Sequence, residues 1–141
     1  MSDSLLIAAF ALQHNPWRAR MHYAAGGSVA AGVAIPFATI DYDPASMCTT
    51  GRITVPVDGY YQVSGYAQNS TTSVAWRVDI YRNGIVDTYG TTIPTAGVSI
   101  ISSATCIIKC VAGDYLNLMS AITTTVVGNV NSFEVSWIAP A

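Results

Sequence analysis

"RITVPVDGYYQVSGYAQ", residues 52–68, decides how this chain is read. Apolar and polar residues alternate from Arg52 to Val55, break around Pro56, Asp58 and Gly59, and alternate again from Tyr60 to Gln68. A period of two is the mark of a β-strand with one face buried. Proline has no amide to give a ladder and so ends the first stretch, while glycine admits backbone conformations closed to other residues. Ile53, Val55, Tyr61 and Val63 are therefore expected inside, and Tyr60 and Tyr66 on the opposite face.

The same punctuation recurs on both sides of this stretch. "RARMHYAA" (18–25) reads as a first strand, followed by "GGSVAAG" (26–32) as a flexible connection. "VAIPFATIDYD" (33–43) reads as a second strand, with Pro36 at an edge or bulge. "PASMCTT" (44–50) reads as a loop. "VAWRVDIYR" (74–82) runs into Asn83-Gly84, a strong hairpin signal, and "IVDTYG" (85–90) answers it. A long strand spans Val98–Val111, "AGD" (112–114) turns it into "YLNLMSAI" (115–122), and Asn129–Asn131 lead into a last strand, "SFEVSWIA" (132–139). No long window has helical periodicity, so the chain is expected to be all-β: an antiparallel jelly-roll β-sandwich of about nine or ten strands. Val74, Trp76, Val78, Ile80, Leu116, Leu118, Phe133, Val135 and Trp137 join the expected core. Arg77 and Asp79 fall on the outer face, where a neighbouring strand can pair their charges.

A length of 141 residues suits one domain. Charged residues make up only 10% of it and apolar residues 51%, where about 25% charged is usual. So few charges leave a surface expected to be covered by copies of the chain or by another protein. With a net charge of −2 and only Arg18 and Arg20 as a close basic pair, nucleic acid is not an expected partner. The apolar run Leu5–Leu12 is too short to cross a bilayer, so no membrane is expected either. It follows Asp3 rather than a basic leader and reads as an arm over residues 1–16, with Leu5, Leu6, Ile7, Phe10 and Leu12 as its contacts and 17–141 as the domain.

Chemistry is sparse. Three cysteines make no disulfide framework. Cys106 and Cys110 on one strand would lie ~13 Å apart, beyond the ~7 Å limit of a bridge. Without zinc-ligand spacing they read as small apolar residues of a protein made in a reducing compartment. His14 and His22 have no nucleophile elbow beside them, and no glycine-rich phosphate loop enters a helix, so neither catalysis nor a cofactor is expected. Asp41 and Asp43 share a strand face but are too few for calcium, so no metal is expected. Tyr60, Tyr66 and Tyr81 are candidates for a contact between copies or for a sugar platform.

Five pieces occur in one order: Phe37 with Tyr42-Asp43, "GRITVPVDGYYQV" (51–63), "RVDIYRNG" (77–84), "AGDYLNL" (112–118) and "SFEVSWI" (132–138). Together they resemble the trimeric jelly-roll superfamily of complement globular heads and tumour necrosis factor, over about Arg18 to Ile138. The likeness is greatest to the versions in tailed-bacteriophage virion proteins. The resemblance implies that the Pro56–Gly59 turn links two adjacent strands with Val55 and Tyr61 in the core. It also implies a homotrimer with aromatic side chains near a threefold axis, for which Tyr60, Tyr66 and Tyr81 are candidates. The expectation is a non-enzymatic virion structural protein, a capsid decoration (cement) protein made in the host cytoplasm. It would sit on the capsid surface and bind the major capsid protein through its arm. The alternative is a receptor- or glycan-binding tip of a fibre or tail, using loops such as Asn69–Ser73 and Ile93–Gly97 on a host surface glycan.

Overall fold

A computed structural model describes residues 15–70, 75–94 and 100–141. The arm contacts Leu5, Leu6, Ile7, Phe10 and Leu12, and the core candidate Val74, lie outside the described residues.

Eleven strands form among the described residues: β1 (Arg18–His22), β2 (Gly27–Val29), β3 (Thr39–Tyr42), β4 (Cys48–Thr49), β5 (Arg52–Thr54), β6 (Gly59–Asn69), β7 (Val78–Arg82), β8 (Ile85–Tyr89), β9 (Ile100–Cys110), β10 (Tyr115–Ser120) and β11 (Thr124–Ala139). They make two antiparallel sheets. One has the order β3-β1-β11-β6-β9, with β2 also pairing with β11; the other is β4-β5-β10-β7-β8. No helix among the described residues is long and apolar enough to cross a membrane.

The two alternating stretches around Pro56 lie in different sheets, β5 in one and β6 in the other. Pro56–Gly59 is therefore a corner that carries the chain across the sandwich. It is tied to the 111–114 turn: Val55 donates its amide to the Asp114 carbonyl at 2.9 Å, Gly113 donates to the Val55 carbonyl at 2.9 Å, and Ala112 donates to Asp58 Oδ1 at 2.8 Å. Gly59 is needed for space. A Cβ there would lie 2.3 Å from Trp137 Nε1 and 2.6 Å from the Ala139 carbonyl oxygen. Gly59→Ala is expected to cost about 1–3 kcal/mol by overpacking. Urea denaturation measures it, and an unchanged midpoint would mean that β11 and the corner do not pack this closely.

The core is where alternation places it. Ile53, Val55, Tyr61, Val63, Trp76, Val78, Ile80, Leu116, Leu118, Phe133 and Val135 are all buried, and Trp137 is half-buried against them. The hairpin at Asn83-Gly84 is formed, with φ of 52° and 79°. Positive φ at both residues is the geometry that favours Asn-Gly, because it matches the twist of the flanking strands.

Other expectations are corrected. Within 33–43 only Thr39–Tyr42 is a strand, yet Ile35 and Phe37 are fully buried. Pro36 can give no ladder amide, and its neighbours bond outside a ladder: Ile35 donates to the Leu118 carbonyl at 2.9 Å, Phe37 donates to the Ile35 carbonyl at 2.8 Å, and the Phe37 carbonyl accepts from Gly51 at 2.8 Å. The 26–32 connection contains β2, and the 44–50 loop contains β4. The last strand starts at Thr124 and absorbs the Asn129–Asn131 turn as an irregularity in its ladder. Asn131 bridges the gap. Its side chain accepts from the Tyr23 amide at 2.6 Å and donates to the Tyr23 and Val127 carbonyls at 3.0 and 2.8 Å. Arg77 and Asp79 pair with each other at 2.6 and 3.1 Å rather than across strands, and the buried Asp79 also accepts from the Gly90 amide.

All three cysteines are free, Cys110 buried and the others half-buried. Burial pushes the Cys48 thiol up to about 12, with the Asp43 carboxylate adding to it. Burial likewise raises Cys110 to about 11, and it raises Cys106. In the folded protein at pH 8 Cys48 and Cys110 should react with a disulfide reagent at least about a hundredfold more slowly than an ordinary thiol, and Cys106 more slowly too, since the thiolate is the nucleophile. Three fast equivalents should appear in denaturant. Fast labelling of the native protein would contradict the burial. The folded state keeps these protons after the unfolded chain has lost them. Stability should therefore fall as pH rises from the ordinary thiol range of about 8.5 toward the folded values near 11 and 12.

Candidate functional site

The outer face of the six-stranded sheet is the most distinctive surface. Along β6, Tyr61, Val63 and Gly65 are buried, while Gln62, Ser64 and Tyr66 face outward. Register builds rows across the sheet. Tyr66 stands between Ser103 of β9 and Ser132 of β11; Ser64 stands between Thr105 and Glu134, and Arg20 follows Glu134. With small side chains at the crossing points, the face sinks into a hollow of about 230 Å³ lined by Ser64, Tyr66, Ser103, Thr105, Ser132 and Glu134.

Charges border the hollow on the β1–β3 side and are mutually engaged. Arg20 Nε donates to Ser132 Oγ at 3.0 Å and lies 3.4 Å from Asp41, whose other oxygen is 2.9 Å from His22 Nδ1. Tyr42 donates to Glu134 at 2.8 Å and lies beneath the Arg18 guanidinium at 5.3 Å. Burial, then the Glu134 hydrogen bond and charge, push the Tyr42 hydroxyl up to about 12, so it remains a neutral donor. The hollow itself is mostly hydroxyl-lined, and the two charged side chains that reach it are engaged, Arg20 by Ser132 and Asp41 and Glu134 by Tyr42.

The other rim is apolar. Ile101 and Ile107, on the outward phase of the edge strand β9, are 50% and 66% exposed. At the Pro56–Gly59 end, Val111 and Ile85 are 54% and 73% exposed. Between the edge strands β8 and β9 lies a wedge. It is closed where Thr91 donates to the Ser103 carbonyl at 2.9 Å and opens to about 520 Å³ beside Ile85, Val86, Lys109 and Val111. Arg82 spans its mouth, donating to the Lys109 carbonyl at 2.7 Å and lying 3.6 Å from Asp87. Burial alone would raise the Asp114 carboxyl beside it. Hydrogen bonds from Asn83 and the Val111 amide outweigh that and hold it below the ordinary carboxylate value.

The structure brings Tyr60 and Tyr66 together on β6 and separates Tyr81, which stands on β7 in the other sheet. Asp41 and Asp43 are not brought together as ligands: Asp41 is engaged by His22 and Arg20, and Asp43 accepts from the Met47 and Cys48 amides at 2.7 and 2.8 Å. No group of three metal-ligating side chains gathers among the described residues. Sequence reading missed the apolar rim, although a signal existed. Ile107 and Ile108 are adjacent in a strand, so only one of them can face the core.

The globular domain of zebrafish complement 1qA protein superposes with a TM-score of 0.70 at 14% identity, covering 89% of this chain and 99% of that one. The fold is that of the complement and tumour-necrosis-factor jelly rolls. Eiger TNF from S. frugiperda gives 0.66 at 15% identity, covering 89% and 95% of the two chains. Murine APRIL gives 0.69 at 7% identity, covering 86% and 98%. No protein-family model and no curated protein sequence matches the chain.

Proposed function

We propose that this chain is a non-enzymatic structural protein that assembles as a homotrimer through the outer face of its six-stranded sheet. The observation that carries the reading is the hydroxyl-rich hollow around Ser64 and Tyr66, bordered on one side by exposed isoleucines, with its two charged residues, Arg20 and Glu134, already paired. Such a face gains from contact without leaving a charge unpaired. The number three rests on the resemblance of the sequence to trimeric jelly rolls. Light scattering tests the reading: the particle should weigh three chains at micromolar concentration, and a single-chain mass would overturn it.

The finer reading is a capsid decoration (cement) protein on the virion surface of a tailed bacteriophage, with residues 1–16 docking on the major capsid protein. Its support is the scarcity of charge and the apolar run Leu5–Leu12. Removing residues 1–13 should leave a trimer that no longer coats the particle; full coating by the shortened protein would refute the arm. A glycan-binding tip is favoured by a different observation. At the end away from the Pro56–Gly59 corner, residues 23–33, 90–94 and 121–123 carry no charged side chain. Binding on a glycan array that is lost on changing Ile93 or Ser70 would favour the tip.

A further inference from the structure

We propose that Asn83 is a self-modification site guarded by the neighbouring 111–114 turn: once the guard opens, the Asn83 amide is lost as ammonia, and the carboxylate left behind keeps the β7–β8 hairpin from clasping that turn again. This goes beyond the assembly reading and stands whether or not the trimer forms.

The reactants are adjacent in the chain. Asn83 is the one asparagine of the sequence followed by glycine, and no side chain crowds a glycine's main-chain nitrogen. Once solvent takes its proton, the Gly84 nitrogen attacks Cγ of Asn83. The N–Cγ bond forms, the Cγ–Nδ2 bond breaks, and Nδ2 leaves as ammonia. Water then opens the five-membered imide at either carbonyl, giving aspartate or isoaspartate. Only water is consumed.

The fold holds this reaction off. Asn83 and Gly84 are the two-residue loop between β7 and β8. Asn83 Oδ1 accepts from the Tyr115 amide at 3.0 Å, and Nδ2 donates to Asp114 Oδ1 at 2.7 Å. The Asn83 main-chain amide donates to the Tyr115 carbonyl at 2.9 Å. Attack turns the side-chain amide toward Gly84 and makes Cγ tetrahedral, which costs both side-chain bonds.

The product no longer fits. Asp114 accepts from Asn83 Nδ2 and from the Val111 amide. Deamidation exchanges that Nδ2 donor for a carboxylate oxygen, so two carboxylates meet where a hydrogen bond stood. Arg82, which lines the same wedge, is already engaged by Asp87 and the Lys109 carbonyl. Isoaspartate also adds a carbon to the main chain of a loop whose length fixes the hairpin register. The effect reaches the Pro56–Gly59 corner, because the Asp114 carbonyl accepts from the Val55 amide.

Peptide mass mapping of the full chain at mildly alkaline pH tests the guard. Asn83 should deamidate at least about tenfold more slowly in the folded protein than in the same chain unfolded in guanidinium chloride, because reaction passes through local opening. Asp114→Ala should raise the folded rate at least about fivefold, since the opening then breaks one bond fewer. Asp87→Ala, on the same hairpin but bonded to Arg82, should leave the rate unchanged. Stability tests the consequence. Asn83→Asp should unfold at lower denaturant than Asn83→Gly, which also admits the left-handed turn but adds no charge beside Asp114. The folded-against-unfolded rates and this last comparison need no Asp114 variant. Equal folded and unfolded rates, an unaltered rate in folded Asp114→Ala, or Asn83→Asp as stable as Asn83→Gly overturns the proposal.

Discussion

Tyr66→Asp should dissociate the proposed trimer. Tyr66 is half-buried in the middle of the outer face, between Ser103 and Ser132. A carboxylate there would be desolvated against hydroxyl side chains, and the nearest cation, Arg20, already serves Asp41 and Ser132. An unpaired charge buried in an interface costs about 3–5 kcal/mol, which is roughly a hundredfold or more in each contact's affinity. Sedimentation velocity should give a single-chain species at concentrations where the unaltered protein is trimeric. Tyr81→Asp, on the other sheet, should leave the trimer intact. If Tyr66→Asp stays trimeric, the assembly uses another surface; if Tyr81→Asp alone dissociates it, the contact lies on the five-stranded sheet.

The second large effect is on stability. Phe37 is fully buried, and its ring stacks on Phe133 with centroids 5.9 Å apart. Phe37→Ala should cost about 3–5 kcal/mol, the transfer of the ring plus the cavity it leaves. That corresponds to roughly 10 °C or more in melting temperature for a domain of this size. Chemical denaturation would measure it. A loss below about 1 kcal/mol would mean that the segment around Pro36 does not pack as described.

The sandwich was legible because period-two alternation is a local property. Ile53 and Val55, Tyr61 and Val63, Val78 and Ile80, and Leu116 and Leu118 each declare a buried face within a few residues, and all of them are buried. Asn83-Gly84 was legible for a similar reason, since its turn depends on two backbone angles. The irregular but buried Ile35 and Phe37 were misread as strand residues. Pro36 spoils the ladder without preventing burial, and nothing local separates those two outcomes. The start of β11 was misread because Asn129 and Asn131 have turn chemistry, yet the Asn131 side chain bonds Tyr23, 108 positions earlier in the chain. Of the candidate face, Tyr60 and Tyr66 were found from the same alternation, while the hollow beside them was not.

By itself, the sequence determined the fold class, most of the buried positions and the scarcity of charge, all set by each residue's own type and its near neighbours. Tertiary structure decided which sheet each strand joins. Arg52–Thr54 and Gly59–Asn69 look like partners in the chain and stand in opposite sheets. It also decided that Ser64, Ser103, Thr105 and Ser132 meet in one hollow while Tyr81 stands apart. The reason is that strand pairing is a long-range choice among several edges with similar hydrogen bonds, and it is settled by how whole faces pack.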